Sequence, residues 1–137
     1  MILSSECFLY DSCKKYVSHK CDLTDNTFCI KLFKLDYLYK ESLLTPQQRE
    51  YIALRIDADG TDRDNFIKLK DIETNIEDFV NKGNSLYIYS DICGNGKTAW
   101  SIRLIQAYLN NIWYKCDLSC KALFINVPKF LLSIKDN

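Results

Sequence analysis

Nine residues, Ser90-Asp91-Ile92-Cys93-Gly94-Asn95-Gly96-Lys97-Thr98, constrain this chain more than any others. Before them stands Ser85-Leu86-Tyr87-Ile88-Tyr89, short, aromatic and β-branched, which reads as a buried strand. After them Ala99, Ile102, Ile105 and Leu109 recur at helical spacing, and Trp100, Leu104 and Tyr108 widen the apolar face. Strand, glycine loop and helix in that order match the phosphate-binding pattern G-x-x-x-x-G-K-[ST] at Gly96, Lys97 and Thr98. Gly94 supplies the inner glycine of the G-x-x-G-x-G-K-T variant, and Asp91 stands where the pattern has its first glycine.

The chemistry follows from the residue types. A polyphosphate needs several donors converging on it, and backbone N–H groups supply them where no Cβ intervenes. A helix opening at the loop turns its positive end toward the anion. In this reading Gly94 and Gly96 let the backbone approach phosphate, Lys97 reaches the β- and γ-phosphates, and Thr98 ligates Mg²⁺. An acidic Asp91 beside a triphosphate weakens binding unless it points away or caps the turn.

The second strand expected is Ala122-Leu123-Phe124-Ile125-Asn126-Val127, followed by a short helix that Pro128 starts, over 129–134. Two strands joined by a crossover helix imply a right-handed parallel βαβ unit. The fold class expected is therefore α/β, an incomplete P-loop NTPase core, preceded by helices and a small cysteine-rich module. Its bounds are 1–30 for the cysteine module, 31–84 for the helical region and 85–137 for the P-loop core. The helical region divides into helices over 30–44, from Thr45-Pro46 to about Asp57, and from Thr61 or Asp62 to about Asn81. Asp57-Ala58-Asp59-Gly60-Thr61-Asp62-Arg63-Asp64 resembles a calcium loop but has Asp62 where the sixth-position glycine belongs, so a turn at Gly60 is the better reading.

The chain of 137 residues holds seven cysteines, and Cys7, Cys13, Cys21 and Cys29 crowd into its first 30 positions beside His19, the one histidine. An odd total argues against a disulfide framework, whereas four soft ligands suit tetrahedral Zn²⁺ and can hold together a segment too small for its own core. The spacing C-x5-C-x7-C-x7-C contains no C-x2-C pair, so zinc competes with free or redox-active thiols, and His19 could replace Cys21. Cys93, Cys116 and Cys120 read as structural.

Net charge is zero, but unevenly spread. Residues 1–40 carry six basic and five acidic side chains, 41–95 carry six and eleven, and 96–137 carry six and two. A basic loop-bearing end suits a polyphosphate, and weakly a single strand of DNA. No run approaches the length of a membrane span and no leader is apparent at Met1, so the expectation is a cytoplasmic protein.

The stretches Gly94-Asn95-Gly96-Lys97-Thr98-Ala99-Trp100 and Ala122 to Leu131 (ALFINVPKFL) resemble those of DnaC/DnaI-type replicative helicase loaders of the phage and Firmicute style. The resemblance implies an N-terminal, often zinc-binding module that contacts the hexameric helicase, and an AAA+ domain that binds ATP and single-stranded DNA. It implies ATP phosphates at Gly94, Asn95, Gly96 and Lys97, and Mg²⁺ at Thr98. Hydrolysis in that family needs a Walker B acid pair, a sensor and an arginine finger. After Ile125 the one acid is Asp136, so the expectation is a binder of nucleotide that stops short of Walker B and does not hydrolyse it. An alternative is a non-catalytic zinc-containing adaptor for the helicase or another partner. A sheet of two strands would be a poor core, and its bare edges would favour self-association.

Overall fold

The computed structural model describes residue 13 and residues 26–50, 63–91, 96–115, 117 and 119–136. Five α-helices lie within them. These are α1 (Asn26–Glu41), α2 (Arg63–Thr74), α3 (Ile76–Asn81), α4 (Lys97–Ile112) and α5 (Val127–Lys135), with a 3₁₀ turn at Gln47–Arg49 between α1 and α2.

α4 is the hub. Its residues Trp100, Ile102, Leu109 and Ile112 are buried, and they fall on one side of the helix because their spacing follows the helical repeat. α1, α2 and α3 all pack on α4, and α2 and α3 pack on each other. Leu38 of α1 meets Leu109 and Ile112 in the innermost cluster, flanked by Leu35, Tyr39, Ile105, Tyr108, Trp113 and Ala122. Leu109 is completely buried. Burying such a leucine contributes roughly 1.5–3 kcal/mol before any packing gain. The Asn110 amide donates to the Tyr39 hydroxyl at 2.8 Å. Burial pushes the Tyr39 hydroxyl pKa up, and the Asn110 bond opposes it.

Local chemistry sets the helix ends. α1 stops at a left-handed residue, Leu43 at φ 64°, whose N–H donates to the Lys40 carbonyl at 3.2 Å. A leucine in that conformation crowds its own Cβ, and glycine is the usual occupant. Ser42 beside it is fully buried; its hydroxyl donates to Tyr39 O at 2.7 Å. Thr45 and Gln48 form a reciprocal capping box, with Thr45 N–H to Gln48 Oε1 at 3.0 Å and Gln48 N–H to Thr45 Oγ1 at 3.2 Å. The cap starts one turn only. Glu50 is extended (ψ 161°), so the helix expected to reach Asp57 breaks there, and residues 51–62, with the Gly60 turn, lie outside those described. The Gln106 amide of α4 donates to the Gln48 and Glu50 carbonyls at 2.6 and 2.9 Å and ties this turn to the hub.

The helix expected over residues 61–81 is two. Thr74 and Asn75 turn their side chains back to the Lys70 and Asp71 carbonyls, at 2.9 and 3.0 Å, and Asn75 leaves helical geometry (φ −110°, ψ 29°). Such back-bonding competes with the helix ladder. α3 ends at Asn81, where the helix was expected to stop, and closes at Gly83 (φ 71°). Gly83 N–H donates to Val80 O at 2.9 Å and Asn84 N–H to Phe79 O at 3.2 Å, the two bonds of a Schellman motif.

The α/β expectation is overturned: among the described residues there is no strand and no βαβ unit. Residues 84–90 and 121–126 carry no regular secondary structure and do not pair with each other in a ladder. A two-stranded parallel pair gains too few bonds to offset its ordering. Residues 121–126 lean instead on the α1 exit, where Phe124 N–H donates to Ser42 O at 2.8 Å. Both segments expose the residues expected to be buried, including Leu86, Tyr87, Tyr89, Leu123 and Ile125. α5 begins two residues earlier than the expected 129–134, at Val127, with the Asn126 side chain accepting from Lys129 N–H at 3.1 Å. No helix among the described residues is long and apolar enough to cross a membrane.

Candidate phosphate site at the start of α4

Three of the five predicted phosphate-loop residues are described, and they come together at one helix start. Gly96 is the residue before α4 and has φ 92° and ψ 10°, a left-handed conformation that costs a Cβ-bearing residue about 1–2 kcal/mol. Its carbonyl accepts the first bond of the helix, from Trp100 N–H at 2.8 Å. Lys97 and Thr98 therefore occupy the first turn, where the N–H groups of any helix have no acceptor within it. The Thr98 side chain is exposed.

Lys97 Nζ reaches back seven residues and donates to the Ser90 carbonyl at 3.2 Å. This contact draws the two ends of the loop together, so the ammonium sits across its base rather than extending into solvent. The motif predicts a phosphate role for Lys97 and gives no indication of Ser90 as its protein partner. Asp91 is exposed. Gly94 and Asn95, with Ile92 and Cys93, lie outside the described residues.

The start of α4 is held firmly from beneath. Trp100 is buried and meets Phe66 of α2 edge to face, ring centroids 5.4 Å apart at 74°. The Arg103 guanidinium lies 5.8 Å from the Trp100 ring centroid, and its Nε donates to Glu73 Oε1 at 2.9 Å. Both partners of that ion pair are largely shielded, so it is screened less than a surface pair. Lys70 joins it at 3.3 Å from Glu73 Oε2. Helix α2 thus fixes the direction in which the first turn of α4 presents its N–H groups.

A separate open cleft of about 380 Å³ is lined by Thr74, Asn75, Glu77, Asp78, Asn81 and Asn111. Asn111 follows Lys97 by fourteen residues, about 21 Å along the helix, so this acidic and amide-lined hollow is remote from the loop. Beside it Lys115 pairs with Glu77, which raises the Lys115 pKa.

The predicted zinc ligands are placed only in part. Cys13 is buried and Cys29 is half-buried on α1, while Cys7, Cys21 and the alternative ligand His19 lie outside the described residues. Among the described residues no three His, Cys, Asp or Glu side chains gather in a metal-holding group.

Comparison with known proteins gives no match to a family model, a curated protein or a solved structure.

Proposed function

We propose that this chain binds a nucleoside triphosphate, ATP with Mg²⁺, at the loop that opens α4. The observation that carries the reading is the Lys97 ammonium held at the Ser90 carbonyl, 3.2 Å away, beside a left-handed Gly96 at the helix start. A cation and the positive end of a helix converge there, the two elements an anionic phosphate needs. In this reading Lys97 exchanges its carbonyl for phosphate oxygens, Gly94, Asn95 and Gly96 offer backbone donors, and the Thr98 hydroxyl takes a place on Mg²⁺. The chain's own residues hold and orient the polyphosphate; no carboxylate in this set activates water, so binding without hydrolysis is the activity proposed.

The test is equilibrium binding of Mg–ATP to the wild-type chain and to Lys97→Ala. Loss of a charge-assisted contact weakens binding by roughly tenfold or more. Equal affinity of the two proteins sinks the proposal.

The setting proposed is DNA replication, with a replicative helicase as partner, on the likeness of Gly94 to Trp100 and Ala122 to Leu131 to helicase loaders. Apolar side chains of α5, including Phe130, Leu131, Leu132 and Ile134, are exposed and available for protein contact. Zinc at Cys7, Cys13, Cys21 and Cys29 belongs to the same proposal and rests on the crowding of these four cysteines into the first 30 residues. Co-precipitation with the helicase before and after chelation checks both. Binding that is absent throughout removes the partner, and binding indifferent to the chelator removes the metal.

A further inference from the structure

Tyr87 and Tyr89 are the most exposed large apolar side chains among the described residues, at 83% and 76%. They lie two residues apart on a segment without regular secondary structure. Their rings stack on each other, centroids 5.4 Å apart and planes 20° apart. The stack turns a broad aromatic surface to water with both hydroxyls outside the core. An aromatic pair in this arrangement accepts a flat π-system, and every nucleobase has one.

The neighbouring chemistry narrows the ligand. Ser90 follows Tyr89 directly, about 3.8 Å away from α-carbon to α-carbon. Its carbonyl is the one that receives the Lys97 ammonium. A cation is therefore anchored one residue from the ring pair, and residues 96–137 carry a basic excess. A purely apolar protein partner would gain nothing from that charge. A base joined to a phosphate uses both features at once.

We infer that Tyr87 and Tyr89 form a stacking platform for a nucleobase whose phosphate is held near Lys97. The inference rests on the phosphate reading of the α4 loop and adds to it the recognition of the base. The base can come from a free nucleoside triphosphate or from a single strand, and the chemistry at the platform is the same.

The experiment compares the wild-type chain with Tyr87→Ala/Tyr89→Ala and Tyr87→Phe/Tyr89→Phe, using inorganic tripolyphosphate, Mg–ATP and fluorescent oligothymidylate as probes. Tripolyphosphate has no base, so its affinity is expected to be the same in all three proteins. Base stacking on one aromatic side chain is worth enough that its loss weakens binding about fivefold or more. That loss is expected in the alanine variant and not in the phenylalanine variant, which keeps the rings. Weaker ATP assigns the platform to the free nucleotide, and weaker oligothymidylate assigns it to a single strand. Unchanged affinity for both in the alanine variant overturns the inference, as does an equal loss in the phenylalanine variant, which would credit the hydroxyls instead. Failure of tripolyphosphate to bind any of the proteins, with the oligothymidylate loss intact, would remove the phosphate reading and leave the platform standing. Both side chains are exposed, so their truncation should leave the helical circular dichroism unchanged; if the double variant does not fold, Tyr87→Ala alone reads the same contrast.

Discussion

Leu43 and Gly96 both adopt left-handed backbone, and the two positions have different consequences. At Gly96 the conformation is free of Cβ strain, and it places Lys97 in the first turn of α4. At Leu43 the same region of backbone space is occupied by a branched side chain that remains exposed and so recovers little from burial. Leu43→Gly is expected to stabilise the fold by about 0.5–1 kcal/mol, the relief of strain outweighing the added freedom of the unfolded chain. Urea unfolding checks this: the midpoint should rise with little change in slope, and a lower midpoint would show that the Leu43 side chain makes contacts that matter. At this scale the sequence was legible wherever the chemistry is local. The Thr45/Gln48 box and the Gly83 closure stand where residue type placed them, because each depends on groups within five positions. The motif leads one to expect a phosphate role for Lys97, whereas its contact with the Ser90 carbonyl depends on tertiary placement that residue type does not show.

The helix α4 was legible as an element for a related reason. Its apolar positions repeat with the helical period, and Ile102 and Leu109 are buried as that period predicts. Leu109 makes no contact with water and lies at the centre of the innermost cluster. Leu109→Ala should cost about 2–5 kcal/mol, which for a domain of this size threatens cooperative folding. A broad, low-temperature melt by circular dichroism is the expected result, and a melt matching wild type would move the core elsewhere. The strands were misread for a physical reason. Ser85 to Tyr89 and Ala122 to Val127 have the composition of strands, but a strand exists only through the ladder it makes with another, and composition does not show whether that partner is present. Without it the same residues remain unpaired, and their aromatic side chains stand in water instead of in a core. The break at Asn75 was missed because the back-bonding of Thr74 and Asn75 competes with the helix only once the carbonyls of Lys70 and Asp71 are in place.

On the scale of the whole molecule, four helices gather around one buried seam, and Gly96 precedes the first turn of the hub helix. α2, through Phe66 and Glu73, braces the end of α4 that carries Lys97 and Thr98. The polar cleft at Asn75 and Asn111 lies toward the other end of the hub. The two places make opposite demands on a ligand: an anion is favoured at the first and a donor-rich or cationic group at the second. Nucleotide binding is proposed at the first. Titrating Mg–ATP into isotopically labelled protein and following the backbone amide resonances locates it directly. Shifts concentrated at Ser90, Gly96, Lys97 and Thr98 are predicted, saturating with ATP and absent in Lys97→Ala. A spectrum that does not respond, or shifts confined to Asn75, Asn81 and Asn111, would contradict the account.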